Sequence, residues 1–138
     1  MRKLSLLILI VTCCSFSKLL AQDWTFVCNS KDGKEKYYLK STPVSNDGGD
    51  IKVWSKTLMS KYINPKNKKT YLNVEYKILY EFDCTDRKMQ FLSINVYNAS
   101  GDIIYSYEFK SYELEWKYIV PETIAEQLLD KACELFNN

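Results

Sequence analysis

Polar and apolar residues alternate along most of this chain, and the period becomes helical only near its end. The clearest alternation covers residues 71–84. Leu72, Val74, Tyr76, Ile78, Tyr80, Phe82 and Cys84 fall on one face; Asn73, Glu75, Lys77, Glu81 and Asp83 fall on the other, with Leu79 the apolar exception. An antiparallel sheet with one wet face gives this pattern. Thr85-Asp86-Arg87-Lys88 reads as a tight polar turn. The return strand over 89–97 groups Leu92, Ile94 and Val96, while Met89, Phe91 and Tyr97 alternate with Ser93 and Asn95, so its faces are less distinct. The remaining strands are expected to join this hairpin.

Before the hairpin, residues 24–29 form a short strand with Trp24, Phe26 and Cys28 on one face and Thr25, Val27 and Asn29 on the other. Asp32-Gly33 marks a turn, and 36–40 a second strand. Residues 42–50, with Pro43, Gly48 and Gly49, read as a loop, 51–59 as a third strand, and 60–70 as a polar connection. After the hairpin, Gly101 supplies a turn and 103–109 another strand. Tyr112, Leu114, Trp116, Tyr118 and Val120 alternate with Glu113, Glu115 and Lys117 as an extended arm.

Pro121 then opens the one convincing helix, with Glu122 placed to suit the positive end of its dipole. Ile124, Ala125, Leu128, Leu129, Ala132, Cys133, Leu135 and Phe136 recur at helical spacing, and acidic and polar residues cover the outer side. The expected fold class is therefore α+β: an antiparallel sheet of about six strands with one C-terminal helix on its apolar face.

The first residues change the picture of charge and compartment. Arg2 and Lys3, the apolar run from Leu4, and a small residue at Ala21 have the layout of a secretory signal peptide over 1–21. Residues 22–138 then form a single domain. Ile10-Val11-Thr12-Cys13 has the shape of a lipid-attachment box, but Thr12 is bulkier than the residue such a box requires, so a lipid anchor at Cys13 is the lesser reading. The chain is expected to be exported, to the periplasm, the outer membrane or the medium. Maturation removes Arg2, Lys3 and Lys18 and no acid, so 19 basic residues fall to 16 against 17 acidic ones. No global positive field remains to attract nucleic acid.

Cleavage also reduces five cysteines to Cys28, Cys84 and Cys133. An oxidising compartment favours pairing, and three cysteines allow three choices of bridge. Cys84 lies on the apolar face of its strand and Cys133 on the apolar stripe of the helix, so a bridge between them would staple helix to sheet. Cys28, beside Trp24 and Phe26, reads as a buried free thiol.

Taken in order, these elements resemble the surface-adhesin protein E family of small exported bacterial proteins. The resemblance rests on Trp24, on Tyr37-Tyr38-Leu39, and on Ile51-Lys52-Val53-Trp54. It continues through Asp83-Cys84 followed by Arg87-Lys88, the Gly101 turn, Glu115-Trp116, Ile119-Val120-Pro121 and Cys133. It implies an antiparallel sheet whose C-terminal helix is held by a Cys84–Cys133 disulfide, and also dimer formation, exposure at the bacterial surface and adhesion to matrix proteins. The chain departs from the family where Glu122 stands in place of a common Gly, in carrying Cys28, and in the basic segment Lys61, Lys66, Lys68 and Lys69.

The chemistry that remains is sparse. There is no histidine, which removes the usual general base and metal ligand. No motif calls for a catalytic residue, a metal or a cofactor. Asp47-Gly48-Gly49-Asp50 lacks the spacing of a calcium loop. The lysines at 61, 66, 68 and 69 are a candidate partner-binding loop for acidic glycans, anionic lipid or acidic protein, against the plainer reading of a solvated connection. Eleven tyrosines supply core packing first and interface anchors second. The functional expectation is an exported, non-enzymatic binding or adhesion module for matrix macromolecules, acting as a homodimer. The alternative is a periplasmic structural or small-ligand-binding accessory protein.

Overall fold

The computed structural model describes residues 23–136, so the expected leader and Cys13 lie outside the described residues. Long runs of alternating residues make β1 (Trp24–Asn29), β2 (Lys36–Lys40), β3 (Ser45–Asp47), β4 (Asp50–Ile63), β5 (Thr70–Asp83), β6 (Lys88–Tyr97), β7 (Ile103–Glu108) and β8 (Lys117–Tyr118). The helical period makes α1 (Ile124–Phe136). The strands form one antiparallel sheet in the order β1-β2-β4-β5-β6-β7. The short β3 continues the column of β2 along β4, and β8 continues that of β7 along β6. The sheet is thus a six-column meander, as expected, with α1 on one side.

Two stretches read as loop or arm contain these short strands. Pro43 interrupts the column between β2 and β3, because it has no N–H to give a ladder. Gly48 (φ 65°) and Gly49 (φ 106°) then allow the tight hairpin into β4. The connection expected over 60–70 is also shorter than that. β4 runs on to Ile63, so Lys61 lies in a strand and only Lys66, Lys68 and Lys69 belong to the loop. Asn64, buried at its start, organises that loop. Its Oδ1 accepts from the Lys66 amide (2.9 Å), and its Nδ2 donates to the Ile104 carbonyl (2.6 Å).

Strict alternation fails at three inserted residues. Phe26 pairs with Tyr38 but Cys28 with Tyr37, which makes Val27 a bulge. Trp24 and Phe26 therefore face away from the helix, while Cys28 is buried opposite Tyr37 on the helix side, not beside them. In β6, Ser93 pairs with Leu79 and Phe91 with Tyr80, so Leu92 is extra. Met89, Phe91, Ile94 and Val96 then share the helix side, which explains the blurred faces of this strand. Ile104 is the third insertion, in β7. Leu72, expected on the apolar face of β5, is 63% exposed next to Asn73, whose left-handed φ of 52° distorts the strand locally while its pairing with β4 continues.

The core lies between α1 and the β2, β4 and β5 columns. Leu39, Ile51, Val53, Tyr80 and Phe82 meet Leu128, Leu129 and Ala132, all buried. The helix begins one turn after Pro121. Thr123 caps it, its Oγ1 accepting from the Glu126 amide (3.3 Å), while the Glu126 carboxylate accepts from the Glu122 amide (2.8 Å). Thr-x-x-Glu at 123–126 is the sequence signal for that start. Glu122 has φ 61°, a left-handed backbone that suits glycine, which is the physical reason for a glycine there. At the other end, the Asn46 side-chain amide donates to the Phe136 carbonyl.

A disulfide joins Cys84, just past β5, to Cys133 on α1 with their Cα atoms 5.9 Å apart. Beside it Arg87, in the β5–β6 turn, donates to Asp130 (2.9 Å) and Glu126 (3.2 Å) on the helix. These are exposed contacts that orient more than they stabilise. The bridge closes a separation of 49 residues, worth about 4 kcal/mol by the chain-entropy model.

Two outcomes are expected. Non-reducing peptide mapping yields one Cys84–Cys133 species with Cys28 alkylatable only after unfolding, and replacing both bridged cysteines by alanine lowers unfolding free energy by about 4 kcal/mol in urea titration. Glu122→Gly raises stability by about 1 kcal/mol, measured the same way, by relieving the left-handed backbone.

Candidate functional site

The sheet has two unlike faces. On the helix side, tyrosines complete the core. The Tyr80 ring lies against Phe82 (5.1 Å between centroids) and Phe91 (5.3 Å). Burial pushes its hydroxyl well above the ordinary tyrosine range. Burial likewise raises Tyr37, and its hydrogen bond to the Glu35 carboxylate (2.5 Å) adds to the shift. Tyr76 and Tyr62 shift upward for the same first reason.

On the opposite, outer face, one row of residues crosses all six columns: Phe26, Tyr38, Lys56, Lys77, Asn95 and Ser106. Lys56 and Lys77 stand directly opposite each other on the two central strands. Like charges in that relation are destabilising. The aromatic side chains around them offset the repulsion. The Lys56 ammonium lies 4.6 Å from the Trp24 ring centre and 5.1 Å from that of Tyr38. Lys77 lies 4.5 Å from Tyr97 and 5.7 Å from Trp24, and Lys40 lies 5.2 Å from Trp24. Trp24 is therefore ringed by three ammonium groups.

The three lysines differ in their anionic partners. Lys40 pairs with Asp23 (3.3 Å) and Lys77 with Glu75 (2.7 Å). Lys56 has no carboxylate within ion-pair distance among the described residues. Two shallow hollows flank Trp24. One, of about 370 Å³, is bounded by Tyr38, Lys56 and Phe26, the last 49% exposed. The other, of about 220 Å³, is bounded by Lys40, Trp54, Lys77 and Tyr97. Flat aromatic rings interleaved with ammonium groups offer stacking and charge to an acidic partner at once.

Of the lysines singled out from sequence, three share the β4–β5 loop and one lies outside it. Lys61 is in β4, and Lys66 lies over the Tyr105 ring at 5.4 Å. Lys68 takes a left-handed φ of 61° at the loop. The lysines that do converge, at 40, 56 and 77, come from three separate strands, β2, β4 and β5. No group of three or more His, Cys, Asp or Glu side chains among the described residues is placed to hold a metal ion. No helix among them is long and apolar enough to cross a membrane.

The chain is thus a one-layer antiparallel sheet with a disulfide-held C-terminal helix on one face and a lysine–aromatic surface on the other. It belongs to the surface-adhesin protein E family, whose pattern it matches over residues 24–134. Comparison with curated proteins and with solved structures returns no match.

One outcome follows from the tyrosines. The folded state holds Tyr37 and Tyr80 protonated, whereas the unfolded chain ionises them near pH 10. Their contribution is fully present below that pH and is lost as pH rises through the higher folded-state values. Unfolding free energy is expected to fall above pH 10 by up to about 1.4 kcal/mol per pH unit per tyrosine, with a shallower fall in Tyr80→Phe, read by urea titration at pH 8, 10 and 11.

Proposed function

We propose that the protein is an exported, non-enzymatic adhesion module that holds an acidic matrix macromolecule on the outer face of its sheet. Membership of the surface-adhesin protein E family supports a surface-adhesin role. The observation that carries the choice of face is the opposed pair Lys56 and Lys77. They sit in register on the central strands and are packed on Trp24, Tyr38 and Tyr97, and Lys56 is left without a carboxylate. A sheet built for stability alone would not oppose two lysines there, and local conflict of this kind collects at functional surfaces. The proposal includes a homodimer and a location outside the cytoplasm.

A cleft at the helix–sheet junction favours a second reading, an accessory protein of the periplasm that holds a small ligand.

The first reading is tested by titrating the exported protein over immobilised matrix proteins and sulfated glycans, with surface proteolysis of intact cells and sedimentation as companions. Saturable, salt-sensitive binding is expected. It should fall at least about tenfold in Lys56→Glu/Lys77→Glu, while Lys56→Thr shifts stability by less than about 1 kcal/mol. Absence of saturable binding to every member of the panel overturns the reading.

A further inference from the structure

The helix side of the sheet contains a slot that close packing would have filled. Across the row at Thr57, β2 contributes Tyr37 and β5 contributes Tyr76, with only the small Thr57 between them on β4. The strands of that row are about 4.8 Å apart, so the two tyrosines stand two spacings, roughly 10 Å, apart along it. Ile124 and Leu128 roof the space, Tyr80 closes one end, and Tyr62 joins Tyr76 at the other with ring centres 6.1 Å apart. The cavity measures about 430 Å³.

Its charge is one-sided. Among the described residues Glu35 is the one acidic or basic side chain that lines it. The Tyr37 hydroxyl donates to that carboxylate at 2.5 Å and so holds it at the rim. Glu35 has no ion-pair partner among the described residues. Among the described residues no hydrogen bond from the helix start reaches that carboxylate, whose donor is the Tyr37 hydroxyl. Tyrosine rings around a space of this width, with one unpaired carboxylate at the mouth, are the chemistry that recognises an organic ammonium group.

We infer that this slot binds a small organic cation, a quaternary or substituted ammonium group carried on an apolar body. The inference rests on the small-ligand reading given above and is independent of the outer face. Ring faces meet the methyl or methylene groups around the nitrogen, Glu35 supplies the counter-charge, and Ile78 and Leu128 meet the apolar body.

The test uses choline, benzyltrimethylammonium and 3,3-dimethylbutan-1-ol, the neutral carbon analogue of choline, in calorimetric titrations backed by amide shifts at Thr57 and Ala125. Both cations are expected to saturate the protein, and choline should bind about tenfold more tightly than its neutral analogue. Glu35→Gln should remove most of that preference. Thr57→Leu should fill the slot and abolish binding in a protein that still unfolds cooperatively, with Lys56→Thr, on the other face, leaving it unchanged. Equal binding of cation and neutral analogue, or no effect of Glu35→Gln, overturns the cation while leaving a small-ligand site. No binding of any of the three overturns both.

Discussion

A single helix has to close one face of a sheet six columns wide. A helix with its side chains is about 10–12 Å across, so it covers little more than two strands at a spacing of about 4.8 Å. The molecule meets this constraint by placing its driest residues, Ile51, Val53, Leu39 and Phe82, beneath Leu128, Leu129 and Ala132. It then fixes the helix by the Cys84–Cys133 bridge. Away from the helix, Val74 and Val96 are still buried, and tyrosine and phenylalanine supply much of the remaining apolar surface. Those rings tolerate partial exposure because one end is apolar and the other polar.

The same constraint separates the two faces chemically. The helix side has to exclude water where it can, and its hydroxyls at Tyr37 and Tyr80 are kept un-ionised by that exclusion. The outer face has no such duty. It can hold Lys40, Lys56 and Lys77 around Trp24 because the ammonium heads remain in contact with water while their stems and charges rest on rings.

Much of this arrangement was legible in the sequence. The alternation from Val74 to Phe82, with Leu79 its one exception, and the 3.6 period from Ile124 to Phe136 are strong local signals, and the sheet, the helix and their contact follow from them. What failed was parity over distance. A period of two carries no warning of an inserted residue, so Val27 moved Cys28 to the other side and Leu92 divided the pattern of β6. The lysine–aromatic surface was hidden for a related reason. Lys56 and Lys77 are opposed only through the register of β4 on β5, and Trp24 reaches them only through β2. Nothing local in the sequence distinguishes these lysines from ordinary solvent-facing polarity, whereas Lys61, Lys66, Lys68 and Lys69 form a visible cluster because they are neighbours in the chain.

A meander that does not close leaves two free borders, β1 and β7, each a row of unsatisfied amides and carbonyls on which another chain could template itself. Both borders carry one of the inserted residues, Val27 in β1 and Ile104 in β7, and the Ile104 carbonyl is already taken by Asn64. The bulges therefore act as end-stops against sheet extension. An added strand would find its ladder interrupted at either border, whereas the two broad faces present unbroken rows of side chains.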